Sequence, residues 1–138
     1  MQAVWPARGY LRSMRKQYHC RPSEAGLRAW DVDNLIRLAR DRPEEEVALA
    51  EIAEIDENWW FAFGEEPTVR RVVEHLRLMQ ETDLSFPIVL DPDGRLMDGM
   101  HRVAKALSQG APAIRAKRLP SLPPPDYVGL DPGELPYA

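Results

Sequence analysis

The chain has 138 residues, 44% of them hydrophobic and 29% charged, which suits one globular domain with a sizeable core and is too short for two. The formal net charge of −4 gives no general electrostatic reason to bind nucleic acid or an acidic membrane. No run approaches the ~18 apolar residues of a membrane span, and the basic N-terminus lacks the apolar segment of a secretory signal. The single cysteine, Cys20, excludes an internal disulfide and a multi-cysteine metal site. We therefore expect a cytoplasmic protein.

Residues 1–44 are predicted to form an N-terminal arm and one helix. The first 21 residues hold five basic side chains and no acidic one, a pattern typical of a solvated terminus or of a segment that contacts an anionic partner. The arm is predicted to be irregular, with a short helix beginning near Ser23. Apolar residues at helical spacing then predict a helix over residues 31–40, capped by Asp31 or Asp33.

The segment after residue 43 supports two interpretations. Val47 and Leu49 predict a short strand that turns near Ile52, whereas the spacing also allows one helix over residues 44–54. The run of acidic residues that follows is typical of a solvated face. Three of these acids are nevertheless candidate catalytic residues, because they come directly after the predicted strand: Glu54, Asp56 and Glu57.

Trp59–Phe63 is an unusually aromatic segment. Its rings either cover the core of a small sheet, or stack on a nucleobase or anchor a partner. Thr68 is then expected to cap a helix that runs to about residue 80. The apolar stripe of this helix consists of Val69, Val72, Val73 and Leu76. His75 lies at the edge of the stripe, where a lone histidine is typically structural or exposed, and it gains interest only if the helix packs near His101.

The second half of the chain predicts a strand, a turn, a strand, a helix and a strand in that order. Their bounds are Phe86–Leu90, the turn at Asp91–Gly94, Arg95–Asp98, Met100–Gln109 with Gly110 as the helix stop, and Ala113–Leu119. Residues 120–138 contain six prolines and no apolar period, so we expect a tail that is extended or wraps the surface.

Gly99, Met100, His101 and Arg102 lie where a strand gives way to a helix. The unpaired N–H groups and the positive end of the helix dipole favour an anion at such a point. Glycine lets the backbone approach a ligand closely, and the histidine and arginine add two donors, so the pattern indicates a phosphate site. A tight strand-to-helix turn with a surface arginine explains the same residues.

Asp98 ends the strand before this turn. Beside a phosphate it is the best-placed acid to hold Mg²⁺ or to act as a base. It can equally cap the following helix by accepting hydrogen bonds from the backbone. These two roles are not exclusive.

Four segments together carry a further pattern, and they are Val47–Ile52, Thr68–Gln80, Phe86–Leu90 and Gly94–Ala106, followed by Gly110 and Ile114. Their order of strand, helix, strand, glycine-containing turn, strand, Asp-Gly-x-His-Arg and helix resembles the N-terminal domain of the ParB/sulfiredoxin superfamily. The similarity covers about residues 45–119 and is most specific from Phe86 to Gly110.

The resemblance implies a small α+β domain, with a mixed sheet and packed helices, that binds a nucleotide. Members of the superfamily bind and hydrolyse CTP, use ATP to repair over-oxidised cysteine, or phosphorylate free serine. By this resemblance Gly99–Arg102 line the nucleotide phosphates, and the helix start at Thr68, Arg70 and Arg71 makes a second phosphate contact. The similarity to the serine kinases also implies a catalytic base among the acids that follow the first strand.

Two departures from the superfamily pattern narrow these implications. Sulfiredoxins carry a nucleophilic cysteine where this chain has Met100, and Cys20 lies far away in the predicted arm, so sulfiredoxin activity is not expected. Partition proteins continue into a helix-turn-helix domain. Here a proline-rich tail follows Leu119, so DNA reading of the operator type is not expected either.

We therefore expect an arm and helix over residues 1–44, a ParB/sulfiredoxin-like domain over 45–119 and a tail over 120–138. The expected function is binding of ATP, ADP or CTP with Mg²⁺, as a nucleotide hydrolase or a small-molecule kinase. Asp98 and His101 are the expected catalytic residues, with Asp98 as the metal ligand. The alternative is a non-catalytic ParB-like module that binds DNA or a protein, and no membrane partner is expected in either case.

Overall fold

The computed structural model of the protein describes residues 16–137. Within that range three α-helices and two sheets form a small α+β protein. The strands are β1 Tyr18–Arg21, β2 Arg28–Asp31, β3 Glu44–Ala48, β4 Ile88–Leu90, β5 Leu96–Asp98, β6 Ala113–Arg118 and β7 Tyr127–Val128. The α-helices are α1 Val32–Ala39, α2 Val69–Glu81 and α3 Met100–Ser108, and short 3-10 helices cover Leu49–Glu51, Ala53–Asp56 and Pro132–Glu134.

The first sheet has the antiparallel order β1-β2-β7. The prediction of an irregular arm is therefore wrong for Tyr18–Arg21, and the predicted short helix near Ser23 is a hairpin turn instead. Gly26 closes that turn with a φ of 108° and donates its N–H to the Ser23 carbonyl at 3.0 Å. Pairing with β2, which sequence periodicity does not report, makes the arm a strand. Residues 1–15, with three of the five basic side chains, lie outside the described residues.

The proline-rich tail runs back along the first sheet. Its strand β7 pairs with β2, and the Trp30 indole N–H donates to the Pro123 carbonyl at 2.8 Å. The Asp126 carboxylate accepts from the Asp31 N–H at 2.8 Å. The tail is therefore held against the protein by specific hydrogen bonds, although it has no apolar period of its own.

The second sheet has the order β3-β6-β4-β5, with β4 and β6 parallel and the other pairs antiparallel. Both of its faces are covered. On one face Ile88, Leu90 and Leu96 join a buried cluster with Val103 and Ala106 of α3. On the other face the alternate residues Val89 and Met97 join a cluster with Trp30 and with Leu35 and Ala39 of α1. Strands buried on both faces explain the continuous apolar run of β4.

Of the two interpretations of residues 44–54, the prediction of a short strand is confirmed, although the strand is shorter than expected, and the prediction of one helix is wrong. The strand ends at Ala48 and pairs antiparallel with β6, where Val47 lies opposite Ile114. Two 3-10 turns then follow, because Leu49 and Ile52 turn inward to the core. The second of these turns contains Glu54, which lines the cleft described below.

Two of the three residues expected to cap helices do so. Asp31 and Thr68 cap α1 and α2 as predicted, accepting from the N–H groups of Asp33 at 3.0 Å and Arg71 at 3.2 Å. Asp98 does not cap α3, because Gly99 occupies the N-cap position. The stop at Gly110 is confirmed by its φ of 72° just after the helix. No helix among the described residues is long and apolar enough to cross a membrane.

Candidate functional site

A cleft of about 1190 Å³ opens beside the turn between β5 and α3. Its walls come from β1, α1, the aromatic segment Trp59–Phe63, α2, the turn itself and the C-terminal tail. The predicted phosphate-turn residues Asp98, Gly99, Met100, His101 and Arg102 all line it. The fold thus places the predicted phosphate turn at the wall of a large cleft.

Gly99 holds the backbone at a φ of 113°, which an L side chain rarely adopts. A Cβ at this position would lie 2.6 Å from Ile88 Cγ2 and 3.0 Å from Arg102 Nη2. Glycine is therefore required for both conformation and space. It also leaves α3 as the one α-helix in residues 16–137 whose N-terminus has no side-chain cap, so its first-turn N–H groups remain available to a ligand.

Arg102 lies directly over the turn. Its Nη2 donates to Asp98 Oδ2 at 3.1 Å and to the Pro87 carbonyl at 3.3 Å. Its Nε is buried and has no hydrogen-bond partner within the described part of the chain. Asp98 thus engages the Arg102 side chain four residues later and not the backbone of the helix. This pair fixes a guanidinium beside the open helix end.

His101 pairs with a histidine on the neighbouring helix. Its Nε2 lies 2.9 Å from His75 Nδ1, so α2 does pack near His101. Trp60 stacks against both rings, with centroid distances of 4.5 Å to His75 and 5.0 Å to His101. The three rings join the aromatic segment, α2 and α3 at one point. Trp60 of the aromatic segment therefore packs against both histidines and forms part of the cleft wall.

The second predicted phosphate contact is only partly assembled. Arg71 lines the cleft, where its guanidinium pairs with Glu65 at 3.0 Å. Thr68 and Arg70 are exposed and do not line it. The start of α2 thus offers one arginine to the cleft, and Thr68 acts as a helix cap.

Glu54 is the most informative residue that sequence reasoning placed wrongly, since its side chain is 1% exposed and not part of a solvated face. Its Oε2 accepts from the Leu96 N–H at 3.0 Å and forms an ion pair with Arg95 Nε at 3.0 Å. Its Oε1 is buried without a partner among residues 16–137. Asp56 and Glu57 are exposed as expected, and Glu57 binds Arg95 through both oxygens. The acidic run itself gave no signal that distinguished Glu54.

A second group that the sequence did not indicate surrounds His19 in β1. Its imidazole stacks between Trp30 and Trp59 at centroid distances of 5.8 and 5.3 Å. Burial and the neighbouring Arg21 guanidinium together lower the pKa of His19 to about 3. Arg21 donates to His19 Nε2 at 2.8 Å and to Asp91 at 3.0 Å. His19 is therefore a neutral, structural part of the cleft wall at ordinary pH.

Cys20 lies in β1 and lines the same cleft as Met100, so its predicted position in an irregular arm is wrong. Burial raises the pKa of its thiol. A thiol with a raised pKa is a weak nucleophile at neutral pH, because the thiolate is the reactive form. The cysteine lines the same cleft as the turn, but its environment does not activate it.

The cleft does not carry an excess of positive charge. Four arginines line it, and they are Arg21, Arg71, Arg95 and Arg102. Six carboxylates line it too, and they are Asp33, Glu54, Glu57, Glu65, Asp98 and Asp131. No group of three or more His, Cys, Asp or Glu side chains within residues 16–137 is arranged to hold a metal ion. A polyanionic ligand would thus meet arginines at the turn but net negative charge around it.

No family model, curated protein or solved structure matches this chain.

Proposed function

We propose that the protein is a ParB/sulfiredoxin-like nucleotide-binding protein that holds nucleotide phosphates at the Gly99–Arg102 turn. The observation that carries this proposal is the uncapped N-terminus of α3, opened by Gly99 and flanked by the Arg102 guanidinium, at the mouth of a large cleft. Backbone N–H groups, a helix dipole and a fixed arginine are the donors that bind phosphate in proteins.

The order of elements supports the family part of the proposal. From β3 to β6 the chain runs strand, helix, strand, turn, strand, helix and strand, which is the order on which the resemblance rests. The mixed sheet with helices on it agrees with a small α+β domain of this type. The hairpin β1–β2 and the tail strand β7 add a second sheet beside it.

The charge balance of the cleft supports binding of the nucleotide as its Mg²⁺ complex. With more carboxylates than guanidiniums on its walls, the cleft repels a bare di- or triphosphate. Mg²⁺ usually binds through one or two carboxylates together with substrate phosphates and water. Asp98 is the carboxylate beside the turn and would be that protein ligand, sharing its charge between the metal and Arg102.

A hydrolase or kinase reaction is a further part of the same proposal. His101 stands in the first turn of α3, where its imidazole can donate to a phosphate oxygen and offset developing negative charge. Its contact with His75 orients the ring and gives a proton on either histidine a second acceptor. Asp98 would hold the metal or accept a proton from the attacking group.

Calorimetric titration with Mg²⁺ complexes of ADP, ATP and CTP tests the proposal. Arg102→Ala removes the guanidinium from the turn, and we expect it to abolish binding of whichever nucleotide the wild type binds. Arg115→Ala is the matched control, because Arg115 is exposed on β6, pairs with Glu44 at 3.8 Å and does not line the cleft. Unchanged affinity in Arg102→Ala, or no binding by the wild type, would contradict the proposal.

A further inference from the structure

Strand β1 is the outer strand of the first sheet, and it borders the cleft. In the order β1-β2-β7 only one side of β1 is paired within residues 16–137. The six consecutive residues 17–22 all line the cleft. Because successive side chains of a strand point to opposite faces, an unbroken run of lining residues means that the edge of the strand, and not one face, borders the cleft. A free strand edge therefore runs along the cleft.

The register of the β1–β2 ladder shows which backbone groups face outward. The Val32 N–H donates to the Gln17 carbonyl at 3.0 Å, and the two strands keep one register throughout. In an antiparallel ladder, hydrogen-bonded and non-hydrogen-bonded pairs alternate. His19 therefore bonds to β2, whereas the N–H and C=O groups of Tyr18 and Cys20 point away from it. Such outward groups at a strand edge are a template for one more strand.

The charge of the cleft favours a basic occupant. Each of its four arginines is paired with a carboxylate. Of the six carboxylates that line the cleft, Asp33 and Asp131 have no arginine partner in the described part of the chain. Asp33 shares the Lys16 ammonium with Asp31, and its side chain is 74% exposed. A basic side chain that enters the cleft therefore meets carboxylates that no guanidinium neutralises.

The walls of the cleft also expose large apolar side chains. Ile36 of α1 and Phe63 of the aromatic segment both line the cleft, and each is 48% exposed. Apolar area of this kind, next to a free strand edge, can be covered by the side chains of an added strand.

We propose that the cleft binds an extended segment of a partner protein, which pairs with β1 as a fourth strand of the first sheet. The segment carries basic side chains that meet Asp33 and Asp131, and apolar side chains that cover Ile36 and Phe63. Backbone hydrogen bonds to the outward groups of β1 supply affinity, and the side-chain contacts supply the preference for this composition. The site goes beyond the proposed function, and it does not require a bound nucleotide.

Strand β3, at the edge of the second sheet, is an internal comparison. The Leu49 N–H donates to the Pro112 carbonyl at 3.0 Å, so by the same alternation the N–H groups of Glu46 and Ala48 face outward. This strand does not line the cleft, and two of its three glutamates pair with arginines of β6. Charged side chains on an edge strand oppose the addition of another strand. We therefore expect the added strand at β1 and not at β3.

Amide hydrogen exchange of the full chain, followed by NMR with a capped octapeptide of alternating valine and lysine, tests the pairing. In the free protein the Tyr18 and Cys20 amides should exchange fast and the His19 amide slowly. When the peptide occupies about nine-tenths of the protein, the first two should slow about tenfold, because only the free fraction exchanges. The Glu46 and Ala48 amides should not change. No binding, protection at β3 instead of β1, or slow Tyr18 and Cys20 amides in the free protein would overturn the inference.

Two N-methylated forms of the peptide distinguish strand pairing from charge attraction. One is methylated on the nitrogens of all its valines, and the other on those of all its lysines. Only every second N–H of an extended segment faces the neighbouring strand, so one form should lose binding and the other should keep it. Loss of binding by both forms, or by neither, would contradict pairing with β1.

Substitutions of the two acids test the preference for a basic segment. Asp33→Asn and Asp131→Asn should each weaken binding of the valine–lysine peptide about two- to fivefold at low salt, because each removes an exposed ion pair. Asp56→Asn is the matched control, since Asp56 is exposed and does not line the cleft, and it should keep the wild-type affinity. If both cleft variants keep that affinity, or if an octapeptide with glutamate in place of lysine binds equally well, the proposed preference for a basic segment is wrong.

Discussion

Single buried residues owe their properties to contacts with distant parts of the chain. Asp91 is an example, since its two oxygens accept from the N–H groups of Asp93 and Arg95 and from the Arg21 guanidinium. Burial raises its pKa, but the Arg95 N–H and the Arg21 guanidinium outweigh burial, and the net pKa is lower than usual. This carboxylate fixes the β4–β5 turn and connects it to β1.

His19 makes the stability of the protein depend on pH. Its imidazole has a pKa of about 3 in the folded protein, where burial excludes the charge, and about 6.5 when unfolded. Below about pH 6.5 the unfolded chain therefore binds a proton that the folded protein does not. This group alone should lower the free energy of unfolding by about 1.4 kcal/mol per pH unit from roughly pH 6 to 4.

His19→Phe tests that dependence, because it keeps an aromatic ring between Trp30 and Trp59 but cannot be protonated. Urea denaturation of both proteins at about pH 7 and pH 4.5 should show a smaller loss of stability on acidification in the variant. His75 and His101 are present in both proteins, so their contributions cancel in the difference. An equal loss in the two proteins would show that His19 is not held neutral by the fold.

At the scale of elements, the start of α3 depends on a glycine and the starts of α1 and α2 depend on side-chain caps. Gly99→Ala places a Cβ against Ile88 Cγ2 at 2.6 Å and keeps a φ of 113°, whereas Gly110→Ala has a φ of 72° and no atom within 4 Å of its Cβ. We expect Gly110→Ala to cost about 1–2 kcal/mol for its backbone and Gly99→Ala to cost about 1–3 kcal/mol more for the clash. Urea denaturation measures the free energy of unfolding of both variants. Equal losses would contradict this prediction, because they would mean that the structure around Ile88 shifts to relieve the clash without cost.

Helix α2 is amphipathic in sequence, but among the described residues it has no buried one. Its stripe residue Leu76 is 44% exposed, although the helix is tied to α3 by the His75–His101 contact and by Lys105, which donates to the Thr82 carbonyl at 2.7 Å. The stripe pattern correctly predicted the helix but not its burial. Periodicity reports which residues share a face, and the rest of the fold decides whether that face is covered.

Two leucines make this difference measurable. Leu96 of β5 is fully buried, so Leu96→Ala should cost about 2–5 kcal/mol of unfolding free energy, whereas Leu76→Ala on α2 should cost less than about 1 kcal/mol. Chemical denaturation of the two variants checks the comparison. A large cost for Leu76→Ala would indicate that the stripe is covered in solution.

At the scale of the whole molecule, the segments whose structure was predicted from sequence are those with local signals. The run from Phe86 to Gly110 has a buried strand, a Pro-Gly turn, a glycine-led helix and a glycine stop close together, and all of them appear in the structure. The first sheet was missed because its strands are defined by pairing and not by periodicity. Strand β2 pairs with β1 on one side and, on the other, with β7, which lies about a hundred residues further along the chain. The burial of Glu54 and His19 was missed for the same reason, since distant elements bury them.

A backbone-amide NMR titration with magnesium pyrophosphate can locate the phosphate site that we propose at the uncapped start of α3. We expect the amide signals of Met100, His101 and Arg102 to shift most, with those of the capped starts of α1 and α2 nearly unchanged. Saturable binding that leaves these three amides unshifted, or no binding at all, would contradict it.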